Sequence, residues 1–228
     1  NRFIWLKYFY KPIWFIERGA HMYDSFISLS LEKQSQIISA GFHCFGKLGY
    51  KKTSASNIAQ EANISKAMVF HYFGNKKGLY VYLMNYACDL MENEIKNQHD
   101  LNNHDFFDYI LLDIQVKENL LKQQPHFLLF MASLLQETDL EVIEEIQKLK
   151  ERGLDFHQTN YLNTVDYSKF KTDVDPQLVL DLITSYVTTI TQNSHSDLEN
   201  SFNKIYTCIN MLRNNLYKQE YVLGSNSK

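Results

Sequence analysis

The sequence predicts an all-α protein, an N-terminal three-helix domain followed by a larger helical domain. Three observations predict it. Only three prolines and eight glycines interrupt 228 residues, and Leu, Ile, Lys, Glu and Gln are plentiful, as in mostly helical chains. Apolar residues recur at three- and four-residue spacing along most of the chain. Charge is divided. Residues 28–80 carry seven Lys and two Glu, about +5, and residues 1–27 about +2; residues 81–228 therefore carry about −10 within a net charge of −3. A basic domain joined to an acidic one points to a polyanionic partner for the first alone. The expected division is an extension over 1–27, a three-helix domain over 28–75, a helical domain over 76–220 and a tail over 221–228.

Residues 1–21, NRFIWLKYFYKPIWFIERGAH, hold both tryptophans and a dense run of aromatics. Lys7, Lys11 and Pro12 break a run already too short for a membrane span, and it lacks the regions of a signal peptide. His21-Met22 reads as the junction between a leader and a natural start, the alternative being an amphipathic arm. Cys44, Cys88 and Cys208 lack metal-ligand or redox spacing and are expected to be buried free thiols in a reducing cytoplasm.

The first core helix is expected to be capped by Ser30, with Glu32 in its first turn. Ile37, Ile38, Gly41, Phe42, Phe45 and Leu48 follow at helical spacing, and Gly49 ends it. Ser54 caps the next helix, over 55–62, whose face of Ile58, Ala59 and Ala62 lets another helix cross closely. Asn63 stands where the chain needs positive φ. Ser65 caps a third helix from Lys66 to Tyr72 or Phe73, too short to be stable alone. This is a helix–turn–helix with its own small core.

The run AGFHCFGKLGYKKTSASNIAQEANISKAMVFHYFGNKKGLY resembles the N-terminal domain of the TetR family of bacterial transcriptional regulators. The shared features are an aromatic pair before G-Y, T-S-x-x-x-I-A, the A-N-I-S turn, the F-H-Y-F helix end and G-N-K-K-G-L. The resemblance implies a double-stranded DNA operator as partner. It implies phosphate contacts from Thr53 and Ser54 at the start of the second helix. Ser65, Lys66, Ala67 and Met68 then open the recognition helix, with Lys66 aimed at guanine and Ala67 and Met68 at a thymine methyl. His71 and Tyr72 would meet the DNA backbone one turn on, and Lys76 matches the family's phosphate-binding lysine. Three positions depart from the family. Phe70 replaces the usual Tyr, Asn63 the usual Gly, and Lys77-Gly78 an acidic capping pair, so the fourth helix is expected to start less firmly.

That fourth helix is expected over 76–98, with Leu79, Leu83, Tyr86, Leu90 and Met91 on one side. A polar break over 97–104 precedes a helix with Phe106, Phe107, Ile110, Leu111 and Ile114. Pro125 should begin the next, with Phe127, Leu128, Phe130, Met131 and Leu134. Thr138 and Glu141 form the pattern of a capping box opening a long helix towards Tyr161. After a loop over 163–174, Asp175-Pro176 opens another helix, and Ser196 and Glu199 cap the last.

Two apolar stripes mark the last two helices: Leu178, Leu182, Ile183, Tyr186, Val187 and Ile190, then Phe202, Ile205, Ile209, Leu212 and Leu216. Paired hairpins of this kind would make a four-helix homodimer interface. A dimer also lets two recognition helices enter successive major grooves, about 34–36 Å apart. Tyr86, Phe106, Phe107, Tyr109, Phe127, Phe130, Met131, Phe156 and Tyr161 would suit a pocket for a flat or greasy molecule, and the resemblance implies a small-molecule inducer there. Neither cofactor nor metal is expected, and no membrane partner. The rival readings are a metal-dependent helical hydrolase using His99/Asp100 and His104/Asp105, and a helix–turn–helix used only for protein contact. No nucleophile elbow, P-loop or GxGxxG occurs. The resulting expectation is a ligand-responsive, dimeric repressor of a bacterial cytoplasm.

Overall fold

The computed structural model describes residues 23–100, 102–124, 126–193 and 198–222, and among them every regular element is a helix. In chain order these are α1 (Asp24–Ile27), α2 (Leu31–Lys52), α3 (Ala55–Glu61), α4 (Lys66–Phe73), α5 (Lys76–Gln98), α6 (Phe106–Gln123) and α7 (Phe127–Gln136). Then come α8 (Ile143–Asn160), α9 (Pro176–Asn193), α10 (Leu198–Leu216) and α11 (Gln219–Val222). Short 3-10 turns at Leu162–Thr164 and Tyr167–Lys169 fill the expected loop before α9. Within the described residues no helix is long and apolar enough to cross a membrane. The expected helix start at Pro125, the Ser196 cap and the His21-Met22 junction lie outside the described residues.

Two compact units divide the chain. The first takes the described residues through Glu94 together with Asn119–Asp155; the second takes Ile95–Glu118 and the described residues from Phe156 onward. This differs from a linear cut at residue 75, because most of α5, all of α7 and most of α8 belong with the helix–turn–helix. Burial accounts for it, since aromatic rings of α2 pack against rings of α5 and α7. Phe42 lies 4.9 Å from Phe130 and 5.9 Å from Phe127, and Phe45 lies 4.8 Å from Tyr80. Such rings contribute area burial plus about 0.5–1.5 kcal/mol per favourable pair.

Residues 23–27 also belong to this unit rather than to an extension. Phe26 is fully buried, with its ring 4.9 Å from Phe73 and 5.2 Å from Tyr82, and Tyr23 is buried at 5.0 Å from Tyr82. The start of α8 also differs from expectation. Thr138 and Glu141 do not form a capping box. Asp139 accepts from the Glu141 N–H at 2.9 Å, and its carbonyl accepts from Val142 and Ile143, so α8 begins only at Ile143.

In the second unit the carboxylate of Asp105 caps α6, accepting from the Phe107 and Asp108 N–H groups at 3.0 and 3.1 Å. It also pairs with Lys169 at 2.8 Å and Arg213 at 3.6 Å, while Arg213 reaches Asp108 at 2.6 Å. Phe107, Phe170 and Tyr217 close the core beneath, and an isolated antiparallel bridge joins Phe170 to Tyr217. Burial pushes the Asp105 carboxyl up, but the Lys169 hydrogen bond, the Asp108 N–H and the Arg213 charge outweigh it and hold it below the usual range. A depressed carboxylate stabilises the fold above its unfolded value, about 3.9, and that stability is lost as pH falls through the folded value. Thermal unfolding followed across acidic pH should therefore show a loss of Tm that Lys169→Met makes smaller.

Two carboxylates of the hydrolase reading, Asp105 and Asp100, are engaged within the fold. Asp105 is committed to two cations and a helix cap, and Asp100 accepts from the Asn102 N–H at 2.9 Å. Among the described residues no group of three His, Cys, Asp or Glu could hold a metal ion. The three cysteines are free, and burial pushes the Cys88 thiol up to about 12.

The two apolar stripes divide between inside and outside. Ile183, Phe202, Ile205 and Ile209 are buried in the single chain, which corrects their assignment to a dimer interface. They serve the seam where α9 and α10 pack on each other. Tyr186, Val187, Ile190, Leu212 and Leu216 are half-buried. Leu182 stands out at 57% exposed, with Leu178 at 56% and Met211 at 54%.

The residues expected to line a pocket are also distributed. Tyr86, Phe127 and Phe130 are buried in the first unit's core, and Met131 is half-buried there. In the second unit Phe106 and Phe107 pack with Phe170. Tyr109 stacks on Tyr161 at 4.3 Å, Phe156 lies 5.6 Å from Tyr161, and His157 pairs with the Tyr109 hydroxyl. These rings take part in core packing, which accounts for their placement without a ligand.

Candidate nucleic-acid interface

Local capping chemistry builds the helix–turn–helix. Ser54 accepts from the Asn57 N–H at 3.1 Å while the Asn57 side chain accepts from the Ser54 N–H at 3.0 Å, a reciprocal cap on α3. Ile58, Ala59 and Ala62 are buried, and the two alanines let α3 lie close to its neighbours. Asn63 then adopts φ 49°, the left-handed geometry of the turn. Ser65 caps α4 by accepting from the Met68 N–H at 3.3 Å.

Helix α4 has two sides. Val69, Tyr72 and Phe73 face inward, whereas Lys66, Ala67, Phe70 and His71 are exposed and Met68 is half-buried. The outward residues follow one helical face, at i, i+1, i+4 and i+5. Phe70 is 41% exposed, and the Lys66 ammonium lies 5.7 Å from its ring centroid. A cation beside an apolar ring offers a donor for a base edge and a flat surface for a methyl group or sugar. Lys51 and Lys52 are exposed at the end of α2, as are the cap Ser54 and, along α3, Ser56, Asn57 and Gln60.

Three expected contacts are placed differently. Thr53 is only 2% exposed, and its hydroxyl lies 2.8 Å from the Gly49 carbonyl and 3.0 Å from the Cys44 carbonyl. Its proton is used inside the fold, so the side chain secures the end of α2 instead of offering itself to phosphate. Tyr72 is 5% exposed, with its ring 6.0 Å from Phe26 and 6.2 Å from Phe73, and it belongs to the core. Lys76 is half-buried and drawn back: its ammonium donates to the Tyr50 carbonyl at 3.0 Å and sits 4.0 Å from the Tyr50 ring centroid.

The start of α5 is firmer than its sequence suggests. Asn75 accepts from the Gly78 N–H at 2.8 Å and so caps the helix. A Cβ at Gly78 would lie 2.0 Å from the Phe73 carbonyl oxygen, so only glycine lets the end of α4 approach this closely. Sequence reasoning passed over Lys51, Lys52 and Asn57. A cap signal built on Asn instead of Glu or Gln at the third position would have found Asn57.

Residues 37–83 match the model of the bacterial regulatory proteins of the tetR family. Over 136 residues the chain is 29% identical to the uncharacterized HTH-type transcriptional regulator YuxN of Bacillus subtilis strain 168, covering 58% of this chain and 45% of that protein. It is 36% identical over 67 residues to the HTH-type transcriptional regulator HbdR of Aromatoleum sp. strain CIB, 29% of each. The match thus spans less than half the length of these curated relatives. Among solved structures, a TetR family regulator from Chloroflexus aurantiacus J-10-FL superposes with a TM-score of 0.64 at 16% identity, over 86% of this chain and 98% of that one. FadR from Bacillus subtilis, solved in complex with stearoyl-CoA, gives a TM-score of 0.55 at 20% identity, over 76% of this chain and 96% of that one. These likenesses show a shared fold.

Proposed function

We propose that the chain is a DNA-binding transcriptional regulator of the TetR family, on the support of the family-model match over residues 37–83 and the regulators it resembles. It acts in a bacterial cytoplasm as a homodimeric repressor of a palindromic operator. A small hydrophobic or aromatic inducer releases it. The relatives named above are transcriptional regulators rather than enzymes.

The observation that carries this reading is the outward face of α4, with Lys66, Ala67, Phe70 and His71 exposed on a buried base of Val69, Tyr72 and Phe73. Ser54 and Ser65 support it by capping, and exposed Lys51 and Lys52 supply charge for phosphates. For the dimer, the support is the exposed row of Leu178 and Leu182 on α9 with Met211 on α10. For a greasy inducer, the support is the stearoyl-CoA bound by the FadR neighbour.

Binding to a random-sequence duplex across a range of salt concentrations tests the reading. Each phosphate neutralised contributes about −0.9 to the slope of log K against log salt, so a steep linear fall is expected. A flat response would leave the helix–turn–helix as a surface for protein contact.

A further inference from the structure

We propose that Glu137, which lies outside the helix–turn–helix in sequence, is a positioning residue for DNA binding. It fixes the last turn of α2, past the break at Gly49, which presents Lys51 and Lys52. The inference rests on the DNA-binding reading above.

The turn begins at Gly49, whose φ of 73° breaks α2 and swings the next N–H out of the helix. That N–H belongs to Tyr50 and donates to the Glu137 carboxylate at 2.8 Å. The second carboxylate oxygen accepts from the Thr138 and Asp139 N–H groups, both at 3.0 Å, so Glu137 is itself held rigid at the end of α7. On the other side of the same residue, the Tyr50 carbonyl accepts from the Lys76 ammonium at 3.0 Å. The Tyr50 ring is fully buried at 4.9 Å from Tyr80. One residue is therefore gripped at its N–H by an anion, at its carbonyl by a cation and at its ring by the core.

Three residues on, the Thr53 hydroxyl closes back on the Gly49 and Cys44 carbonyls. Only Lys51 and Lys52 lie between these two anchors, and both are exposed. Their path is set by the anchors, and Glu137 is the one contributed from α7. Its partner is 87 residues away in sequence. Hydrogen bonds to charged acceptors are stronger than neutral ones and fix direction.

Electrostatics alone predicts the opposite sign from positioning. A carboxylate beside a basic surface repels DNA, so its removal should tighten binding; a lost anchor should loosen it. The experiment compares full-length wild type, Glu137→Ala, Glu137→Asp and Glu137→Gln for affinity to a random-sequence duplex at low salt, with amide exchange at Tyr50 followed in the DNA-free protein. Glu137→Ala should speed Tyr50 exchange and weaken binding on the order of tenfold, the equivalent of one charged hydrogen bond. Glu137→Asp keeps the charge but falls short of the amide, and should weaken binding in the same direction, which preserves the test if the Ala variant does not fold. Glu137→Gln keeps one acceptor oxygen for the Tyr50 N–H but turns its NH2 towards the Thr138 and Asp139 N–H groups, so it should recover only part of the affinity and lie between Ala and wild type.

Faster Tyr50 exchange with unchanged or tighter DNA binding in the Ala and Asp variants would overturn the positioning role. So would Ala and Gln variants that tighten together. A wild type that binds no duplex under any salt condition would instead remove the DNA-binding reading, whatever Tyr50 does.

Discussion

Arg152→Ala is expected to lower the stability of the chain by about 3–5 kcal/mol, the usual cost of removing one partner from a buried ion pair. Arg152 donates from α8 to Asp89 at 2.5 Å and to Glu92 at 2.9 Å, both on α5, and both carboxylates are largely shielded from water. Without the guanidinium two like charges face each other in a poorly solvated seam. Burial lowers the Arg152 pKa, but the bonds to Glu92 and Asp89 outweigh it and raise it, so the side chain stays charged throughout. Chemical denaturation of the variant checks the prediction. A loss under about 1 kcal/mol would mean that the pair behaves as an exposed one. Arg152→Lys should fall between, because an ammonium cannot reach two carboxylates with a planar fork. The seam matters for function because α5 follows α4 after only Gly74 and Asn75, so its footing sets the footing of the reading helix.

Lys66→Ala is expected to remove about 1–3 kcal/mol of discrimination at the base pair it reads and to relax preference there. The paired change Lys51→Ala/Lys52→Ala should act differently. It should weaken binding to all sequences alike and make the salt slope shallower by about 2. Selection of bound sequences from random DNA separates the two, since the first change blurs one position while the second leaves the motif intact. The same uniform effect from both changes would remove Lys66 from the reading face. Uniform phosphate contact is assigned to Lys51 and Lys52 in preference to Lys76, whose ammonium is already engaged by Tyr50.

What could be read in the sequence was local. Ser30, Ser54 and Ser65 cap because a hydroxyl three residues before a free N–H is enough to define the contact. Gly49 and Asn63 take positive φ because few residues tolerate it. What could not be read was distant or competitive. Thr53 had a hydroxyl at the right place for phosphate, but two carbonyls four and nine residues back claim it. Tyr72 stands one turn from Met68 and so reads as a DNA-backbone contact, but Phe26, from the segment before the first core helix, covers its ring. The stripes of α9 and α10 had the period of a dimer face, yet the same period buries Ile183, Phe202, Ile205 and Ile209 within one chain. Periodicity shows that a face is apolar and not which surface covers it.

The central claim is that α4 reads DNA and that two copies do so together. Selecting bound duplexes from a random pool with the full chain tests it most directly. An inverted repeat whose half-sites lie about one helical turn, 34–36 Å, apart should be enriched. Recovery of no common motif, or of a single half-site without symmetry, would contradict it.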